Sequence, residues 1–433
     1  MLVTVIGMGK IGLPLAAQFA SQGHRVTGVD INQQTVDSIN GSTEPFPGEA
    51  FLQEALDVLV PRGQLRATTN YSEAIPDSDV VVVVVPLFVD EGGLPDFGWM
   101  DAATRDIGSH LTPNTLVCYE TTLPVGTTRT RWKPMLEKVS GLAEGRDFHV
   151  VFSPERVLTG RVFEDLRKYP KIIGGLSETG ARAAQEFYEA SLEFDERPDL
   201  PRQNGVWDLG TAEAAELVKL AETTYRDVNI GLANQFALFA ESAGIDVFKV
   251  IEAANSQPYS HIHAPGVSVG GHCIPIYPRL FLSNSPGATI VTAAREANAN
   301  MPAHAVARLS SHLDLSGRTV AVLGATYRTH VKETAFSGVF DVCRHLAEMG
   351  AVPKVHDPLL NEDELQALGL RPYLRGQPVD AVLLHTAHDE YSRWGPEDCP
   401  TATIVVDGRR VLSPARWRPI PVLTLGVAGD VEL

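Results

Sequence analysis

Short apolar runs alternate with helical stretches from Leu2 to about residue 200. The runs have the character of buried strands, and they are Val3–Ile6, Arg25–Val29, Val80–Val85, Leu116–Tyr119, Val150–Phe152 and Lys171–Gly174. Strands that alternate with helices predict a parallel sheet covered by helices on both faces.

The middle of the chain has a different pattern. The polar stretch Asp195–Asp208 predicts a loop, whereas the proline-free stretch Ala212–Ser242, with apolar residues at helical spacing, predicts a long and mostly buried helix. Glycine and proline are frequent in Ser256–Pro286, which predicts an ordered functional loop without long regular elements.

Strand and helix patterns resume after a further predicted helix, Ala293–Leu313. They are Thr319–Leu323, Gly338–Met349, Val352–His356, Ala381–His385 and Ile404–Asp407. They predict a second, smaller domain. The predicted fold is therefore α/β, with two parallel-sheet domains joined by a central helical region that contains a long helix.

Composition limits the class of protein. A chain of 433 residues with 44% apolar residues is too long for a single core. Its formal net charge of −17 argues against binding nucleic acid or a membrane surface, which require a dense basic face. The four cysteines are irregularly spaced without a CxxC pair, so we expect neither a disulfide framework nor a metal site. We see no signal peptide and no membrane span, and we expect a reducing, cytoplasmic location.

A glycine motif lies between the first predicted strand and the helix that follows. Gly7, Gly9 and Gly12 have the GxGxxG spacing, and Asp30 closes the next strand. Such glycines permit a tight turn and close approach to a pyrophosphate, while the carboxylate can bind a ribose 2′-hydroxyl and repel a 2′-phosphate. The motif predicts dinucleotide binding with NAD preferred over NADP; the alternative is a structural turn.

Cys273 stands in Gly270–Pro275, where glycines and prolines hold an irregular backbone that can present a thiol to a substrate. Cys118, in a strand, and Cys343, on a helix, are typical of inert core residues. For Cys273, the setting alone leaves both a nucleophile and an inert thiol open.

Polar side chains follow two predicted strands of the first domain, at the end of the sheet where ligands bind. Thr122 and Glu155 could hold and activate water there; equally, Thr122 could cap a helix and Glu155 could form a surface ion pair. Lys219, in an apolar helical stretch, could donate to an oxyanion or extend to solvent.

Together these motifs resemble the UDP-glucose/GDP-mannose dehydrogenase family over nearly the whole chain. The segments that carry the resemblance stand in the family's order, and they are Gly7–Gly12, Glu120–Thr128, Ser153–Leu158, Ala215–Leu220 and Gly270–Pro275. Within the family, Ser153–Leu158 and Tyr225–Ile230 are most similar to the branch that acts on UDP-N-acetylmannosamine and UDP-N-acetylglucosamine.

The resemblance implies a Rossmann NAD-binding domain at 1–203, a central helical, dimerisation and catalytic-cysteine domain at 204–312, and a C-terminal Rossmann-like UDP-sugar-binding domain at 313–433. It implies a homodimer in which NAD takes hydride twice from C6 of a nucleotide sugar, by way of a thioester on Cys273 that water hydrolyses. Lys219 would stabilise oxyanions, and Thr122 and Glu155 would position and activate water.

The resemblance also implies two sets of binding residues. The cofactor would be bound by Gly7, Gly9, Lys10, Ile11, Gly12, Asp30, Pro86 and Thr122. The nucleotide sugar would be bound by Glu155, Arg156, Val157, Lys219, Thr223, Arg226, Asn229, Gly270, Tyr327 and Arg328.

The chain departs from the family pattern at four places. Tyr277 stands where an aspartate commonly follows the cysteine, and Thr223 stands where an asparagine commonly follows the lysine. Arg328 replaces a lysine, and Ala335 replaces an arginine that would contact NAD or a second subunit. Only histidines precede the cysteine loop, where a basic residue from a neighbouring subunit is usual.

Three functions remain open at this point. The leading prediction is four-electron oxidation of a UDP-N-acetylhexosamine, with UDP-glucose or GDP-mannose as other substrates of the same chemistry. An epimerase or isomerase with tightly held NAD is the second, although Cys273 argues against it because transient oxidation needs no thioester. A non-catalytic regulatory subunit that binds sugar nucleotides is the third, suggested by Tyr277 and Ala335.

Overall fold

The computed structural model describes residues 1–90 and 93–428, and the chain forms two compact units, Met1–Glu222 and Thr223–Leu433. The domain boundaries at 203 and 312 stay predictions, and the predicted domain end at 433 lies outside the described residues. Within the described ranges, no helix combines the length and the apolar character needed to cross a membrane.

The first unit alternates strands with helices, as the apolar pattern predicted. Its strands are β1 (Leu2–Ile6), β2 (Arg25–Val29), β3 (Leu65–Thr68), β4 (Val80–Val83), β5 (Phe88–Val89), β6 (Pro95–Asp96), β7 (Leu116–Tyr119), β8 (His149–Phe152), β9 (Lys171–Gly175) and β10 (Val206–Asp208). Its helices are α1 (Gly12–Ser21), α2 (Gln33–Asn40), α3 (Leu52–Leu59), α4 (Tyr71–Ala74), α5 (Gly98–His110), α6 (Lys133–Ser140), α7 (Val162–Lys168), α8 (Glu178–Ser191) and the first turns of α9 (Ala212–Ala243). A π-helical turn, Thr128–Trp132, leads into α6.

Eight of these strands form one sheet in the order β10-β9-β8-β7-β4-β1-β2-β3. The six strands from β8 to β3 in that order are parallel, which confirms the predicted parallel sheet. The strand predicted at Lys171–Gly174 is present as β9, but it runs antiparallel to β8, and β10 runs parallel to β9. β10 also occupies the end of the predicted loop Asp195–Asp208, and β3 had no predicted counterpart.

Burial explains why the central strands are uniformly apolar. Every residue of β4 and of β7 is buried, because helices cover both faces of the sheet. β4 lies between β7 and β1 in the centre of the sheet, so the loops that leave β4 and β7 start from rigid positions.

The second unit contains the remainder of α9 and a smaller sheet. Its helices are α10 (Val247–Asn255), α11 (Tyr277–Asn284), α12 (Thr289–Ser310), α13 (Val339–Glu348) and α14 (Glu362–Ala367), with a 3₁₀ turn at Asp389–Arg393. Its strands are β11 (Thr319–Leu323), β12 (Val352–His356), β13 (Ala381–Leu384), β14 (Ile404–Asp407) and β15 (Val422–Thr424). They are parallel, in the order β12-β11-β13-β14-β15, which confirms the predicted second α/β domain.

Candidate active site

The parallel strands of the first unit end at one edge of the sheet, and five predicted site positions follow those ends. They are Gly7 after β1, Asp30 after β2, Pro86 after β4, Thr122 after β7 and Glu155 after β8. The chain adds β2 and β3 on one side of β1 and then returns to add β4 on the other side. Such a switch point is where open α/β sheets bind ligands.

The glycine turn after β1 is closely packed except at its centre. Gly7 has a positive φ of 93°, and a Cβ on Gly12 would lie 1.8 Å from the carbonyl oxygen of Gly7. In contrast, a Cβ on Gly9 would meet no heavy atom within 4 Å. Lys10 and Ile11 complete the turn before α1 begins at Gly12. The turn therefore leaves open space beside Gly9 and a helix N-terminus nearby, which fits a pyrophosphate.

Asp30 is held in one orientation at the end of β2. Its carboxylate accepts hydrogen bonds from the backbone N–H of Met8, at 2.8 Å, and of Asn32, at 2.9 Å. Met8 belongs to the glycine turn, so the carboxylate and the turn are fixed relative to each other. This arrangement fits the ribose and the pyrophosphate of a dinucleotide.

The loop that carries Thr122 is tied down on both sides. The hydroxyl of Thr121 donates to the carbonyl oxygen of Val85 at 2.6 Å. Farther along, the buried carboxylate of Glu216 on α9 accepts from the backbone N–H groups of Gly126 and Thr128, at 2.5 and 3.0 Å. Thr122 lies before the first helical turn, whose N-cap is Thr127, so it does not cap a helix.

Glu155 lies in a buried ion cluster rather than in a surface ion pair. The ammonium group of Lys171, at the start of β9, lies 2.9 Å from Oε2 of Glu155 and 2.9 Å from Oε2 of Glu120. The side chains of Lys171, Glu155 and Glu120 are 5%, 11% and 0% exposed. The hydroxyl of Tyr188 on α8 donates to Glu120 at 2.5 Å. Lys171 is a functional candidate that the sequence interpretation missed.

The two carboxyl groups of this cluster differ electrostatically. Burial alone would raise the pKa of Glu155, but the charge and hydrogen bond of Lys171, with the backbone N–H of Arg156, bring that pKa below its ordinary value. For Glu120, burial outweighs the attraction of Lys171, and the pKa lies above its ordinary value.

Three further predicted substrate residues belong to the first unit. Lys219 is 9% exposed, so it does not extend to solvent, and it lies one turn beyond Glu216 on α9. Arg156 forms an ion pair with Glu222 and donates to the carbonyl oxygen of Pro170 at 3.2 Å. Val157 packs against the apolar core of the unit.

Cys273 lies on a loop of the second unit that residues 327–335 of the same unit hold in place. A Cβ on Gly270 would lie 2.7 Å from Cβ of Tyr327, and a Cβ on Gly271, whose φ is +89°, would lie 2.9 Å from the ring of the same tyrosine. The N–H of Gly271 donates to the carbonyl oxygen of Ala335 at 3.1 Å. Cys273 and Cys343 are partly exposed, whereas Cys118 and Cys399 are buried. Burial raises the pKa of the Cys118 thiol to about 12, as expected for an inert core residue.

The departures from the family pattern have structural consequences in the second unit. Tyr277 begins α11, and its N–H donates to the carbonyl oxygen of Cys273 at 2.9 Å, so it closes the turn after the cysteine. Ala335 contacts the cysteine loop through its main chain, so this contact does not depend on its side chain. Arg328 lies over the ring of Tyr327 at 5.6 Å.

Three predicted substrate residues lie on the part of α9 that belongs to the second unit. Thr223 is buried and Arg226 is exposed. Asn229 anchors the segment before the cysteine loop, because its side chain donates to the carbonyl oxygen of His261 at 2.6 Å and accepts from the N–H of His263 at 2.9 Å. In residues 1–90 and 93–428, no group of three or more His, Cys, Asp or Glu side chains could hold a metal ion.

Comparison with known proteins places this geometry in a family. Residues 1–192 match the NAD binding domain of the UDP-glucose/GDP-mannose dehydrogenase family, residues 213–300 its central domain and residues 321–414 its UDP binding domain. The chain is 34% identical to the UDP-N-acetyl-D-mannosamine dehydrogenase of Pyrococcus horikoshii over 445 residues, covering 100% of both proteins.

Two solved structures are similar over almost their whole length. The UDP-D-ManNAc dehydrogenase of Pyrococcus horikoshii superposes with a TM-score of 0.88 at 32% identity, covering 98% of this chain and 99% of that one. The UDP-glucose dehydrogenase of Pyrobaculum islandicum superposes with a TM-score of 0.85 at 28% identity, covering 99% of this chain and 98% of that one. The overall fold therefore does not distinguish between these two sugars.

Alanine at Gly12 and at Gly9 should have different effects. Gly12→Ala places a Cβ against the Gly7 carbonyl oxygen, so the backbone must shift, and we expect a lower Tm and a loss of stability of about 1–3 kcal/mol. Gly9→Ala meets no protein atom, so Tm should be unchanged, while Kd for NAD should rise about tenfold or more, roughly 1.4 kcal/mol. Thermal unfolding and calorimetric titration with NAD measure the two effects. An unchanged Kd in Gly9→Ala would contradict this placement of the pyrophosphate.

Proposed function

Because this chain belongs to the UDP-glucose/GDP-mannose dehydrogenase family, whose dehydrogenases use NAD, we propose that it oxidises C6 of a UDP-N-acetylhexosamine to a carboxylate through a thioester on Cys273. The observation that carries the proposal is the presentation of Cys273. Cys273 is partly exposed on a loop fixed by Tyr327 and by the main chain at Ala335. A rigid loop of this kind offers a nucleophile in a defined position.

The thiol is needed because an aldehyde has no hydroxyl group from which hydride can be removed. Oxidation of the C6 alcohol releases one proton and one hydride and leaves the aldehyde. The Cys273 sulfur then adds to the aldehyde carbon and gives a thiohemiacetal, whose oxidation releases a second hydride and a second proton and leaves the thioester. When bound, NAD supplies the hydride acceptor. Lys219, a lysine on α9 that is 9% exposed, stabilises the developing oxyanions.

Hydrolysis completes the reaction and regenerates the thiol. A water molecule positioned by Thr122 adds to the thioester carbonyl carbon, and its proton passes to the carboxylate of Glu155. The bond between carbon and sulfur breaks, and Cys273 leaves as a thiolate. Glu155 suits this task because its pKa lies below the ordinary value, so it is ionised at neutral pH.

The relatives and two sequence segments support an N-acetylated substrate. UDP-N-acetyl-D-mannosamine is the first substrate to test. The relative from Pyrococcus horikoshii, which is similar to this chain over its whole length, is a dehydrogenase of that sugar nucleotide. Ser153–Leu158 and Tyr225–Ile230 point to the same branch of the family. Since the reaction requires a reduced thiol, we also propose that the protein works in the reducing cytoplasm.

The long helix supports a homodimer. Leu232, Phe236 and Phe239 recur at helical spacing on α9 and are 47%, 39% and 67% exposed, and Val250 on α10 is 50% exposed. Exposed apolar side chains that follow one helical face are typical of a protein interface. We propose that a second copy of this chain covers them. The central region at 204–312 would then be the dimerisation domain.

Two substitutions test the thioester. Cys273→Ser should bind UDP-N-acetyl-D-mannosamine and NAD but give no steady production of carboxylate, since a serine hydroxyl is a far poorer nucleophile at neutral pH. Glu155→Gln should slow hydrolysis, so that a covalent adduct of the substrate accumulates on Cys273 in intact-protein mass spectrometry. Cys343→Ser, which changes another thiol of the second unit, should leave turnover near wild type.

Each contrary outcome identifies a different failure. Carboxylate production at the wild-type rate by Cys273→Ser would rule out the thioester. Conversion of the substrate to an epimer without accumulation of NADH would indicate the epimerase alternative. Binding without any conversion by the wild-type protein would indicate the regulatory alternative.

A substitution that introduces a charge into the exposed apolar face of α9 tests the proposed dimer. Phe239→Glu should yield a monomer in analytical ultracentrifugation, because a carboxylate placed in an apolar interface lacks a partner. Met349→Glu, at an exposed apolar position just after α13, is the matched control and should remain dimeric. A Phe239→Glu protein with the same sedimentation as wild type would exclude this face as the interface.

A further inference from the structure

Lys171 is a buried cation to which the proposed reaction assigns no task. Its ammonium group bridges Glu120 and Glu155 at 2.9 Å each. A buried lysine is costly unless its charge is paired, so both carboxylates are part of its environment. Of these two partners, only Glu155 has a proposed part in the chemistry.

The direction of β9 explains how Lys171 reaches Glu155. In the antiparallel pair, Phe152 of β8 lies opposite Gly174 of β9. Glu155 lies three residues after Phe152, and Lys171 lies three residues before Gly174. Because the strands are antiparallel, both positions lie on the same side of this pair. The hydroxyl of Ser153 donates to the carbonyl oxygen of Ile172 at 2.8 Å, which fastens the two chains together just beyond the paired residues. Lys171 therefore approaches Glu155 from a rigid strand.

Both oxygens of Glu155 receive a hydrogen bond within the first unit. Oε2 accepts from Lys171, and Oε1 accepts from the backbone N–H of Arg156 at 2.7 Å. Each oxygen of a carboxylate has two lone pairs, so each can still accept a further donor. Two donors from different chain segments fix the plane of the carboxylate and leave it able to take a proton from water.

We propose that Lys171 is a positioning residue for thioester hydrolysis, which holds Glu155 ionised and oriented. The inference rests on the proposed function, in which Glu155 accepts the proton of the attacking water. Lys171 keeps its own proton throughout. The titratable and charged groups of the cluster are Lys171 of β9, Glu120 and Cys118 at the end of β7, Tyr188 of α8, and Arg156 beside Glu155.

Loss of Lys171 should shift the pH dependence of hydrolysis. Burial then acts on Glu155 without its main counter-charge, so its pKa rises and the acid limb of the rate moves to higher pH. Each pH unit of displacement lowers the rate on the acid side about tenfold. In Lys171→Met, the adduct on Cys273 should accumulate at neutral pH and disappear when the pH is raised. In Glu155→Gln, it should persist at every pH.

The experiment follows the Cys273 adduct and carboxylate formation from UDP-N-acetyl-D-mannosamine and NAD over a range of pH. Lys171→Arg restores a cation and should bring the acid limb back toward wild type. Lys168→Met removes an exposed lysine on α7 that pairs with Glu164, and its pH profile should match wild type. If Lys171→Met fails to fold, Lys171→Met with Glu120→Gln removes the second buried carboxylate. Its acid limb should still move to higher pH than that of the wild type, because burial acts on Glu155 without a counter-charge.

The possible failures are distinguishable. If Glu155→Gln forms no adduct and the wild-type protein makes no carboxylate, the proposed function itself is wrong. If Glu155→Gln accumulates the adduct but the Lys171 variants keep the wild-type acid limb, the function stands and the inference about Lys171 is overturned. A uniform loss of rate at every pH, without rescue by alkali or by arginine, would also overturn it, because that is the signature of a structural residue.

Discussion

Strand direction determines which side chains meet at the edge of the first sheet. Parallel strands end at one edge, which gathers the glycine turn, Asp30, Thr122 and Glu155 from separate parts of the chain. An antiparallel strand begins where its neighbour ends, so β9 delivers its first residue, Lys171, to the same edge. A lysine at the start of a further parallel strand would have been at the opposite edge. The reversed direction of β9 thus supplies a counter-charge for a carboxylate that would otherwise be buried without one.

Carboxylates and backbone amides make this edge rigid. Asp30 accepts from two backbone N–H groups, and Glu216 accepts from two others in the loop after Thr122. Glu155 is held by the backbone of Arg156 and by Lys171. Hydrogen bonds to charged acceptors are stronger than those between neutral groups, so each loop leaves its strand in a defined direction. Such fixed positions are what catalysis by orientation requires.

The sequence was informative where chemistry demands particular residues at a fixed spacing. The glycine turn and the position of Asp30 at the end of the next strand follow from one motif, because only glycine fits where Gly12 meets the carbonyl oxygen of Gly7. The direction of β9 could not be predicted in this way, since an apolar run has the same pattern in either direction. A lysine that opens the otherwise apolar strand Lys171–Gly175 was the available signal. The partner of Arg156 was equally hidden, because Glu222 lies far along the chain.

The central claim is that one protein oxidises C6 of a UDP-sugar twice and releases a carboxylate by way of Cys273. The most direct measurement is the number of NADH molecules formed per molecule of UDP-N-acetyl-D-mannosamine consumed by the wild-type protein, with the product identified by mass spectrometry. The account predicts two NADH for each uronic acid released. One NADH with a free aldehyde, or consumption of the sugar nucleotide without NADH, would contradict it.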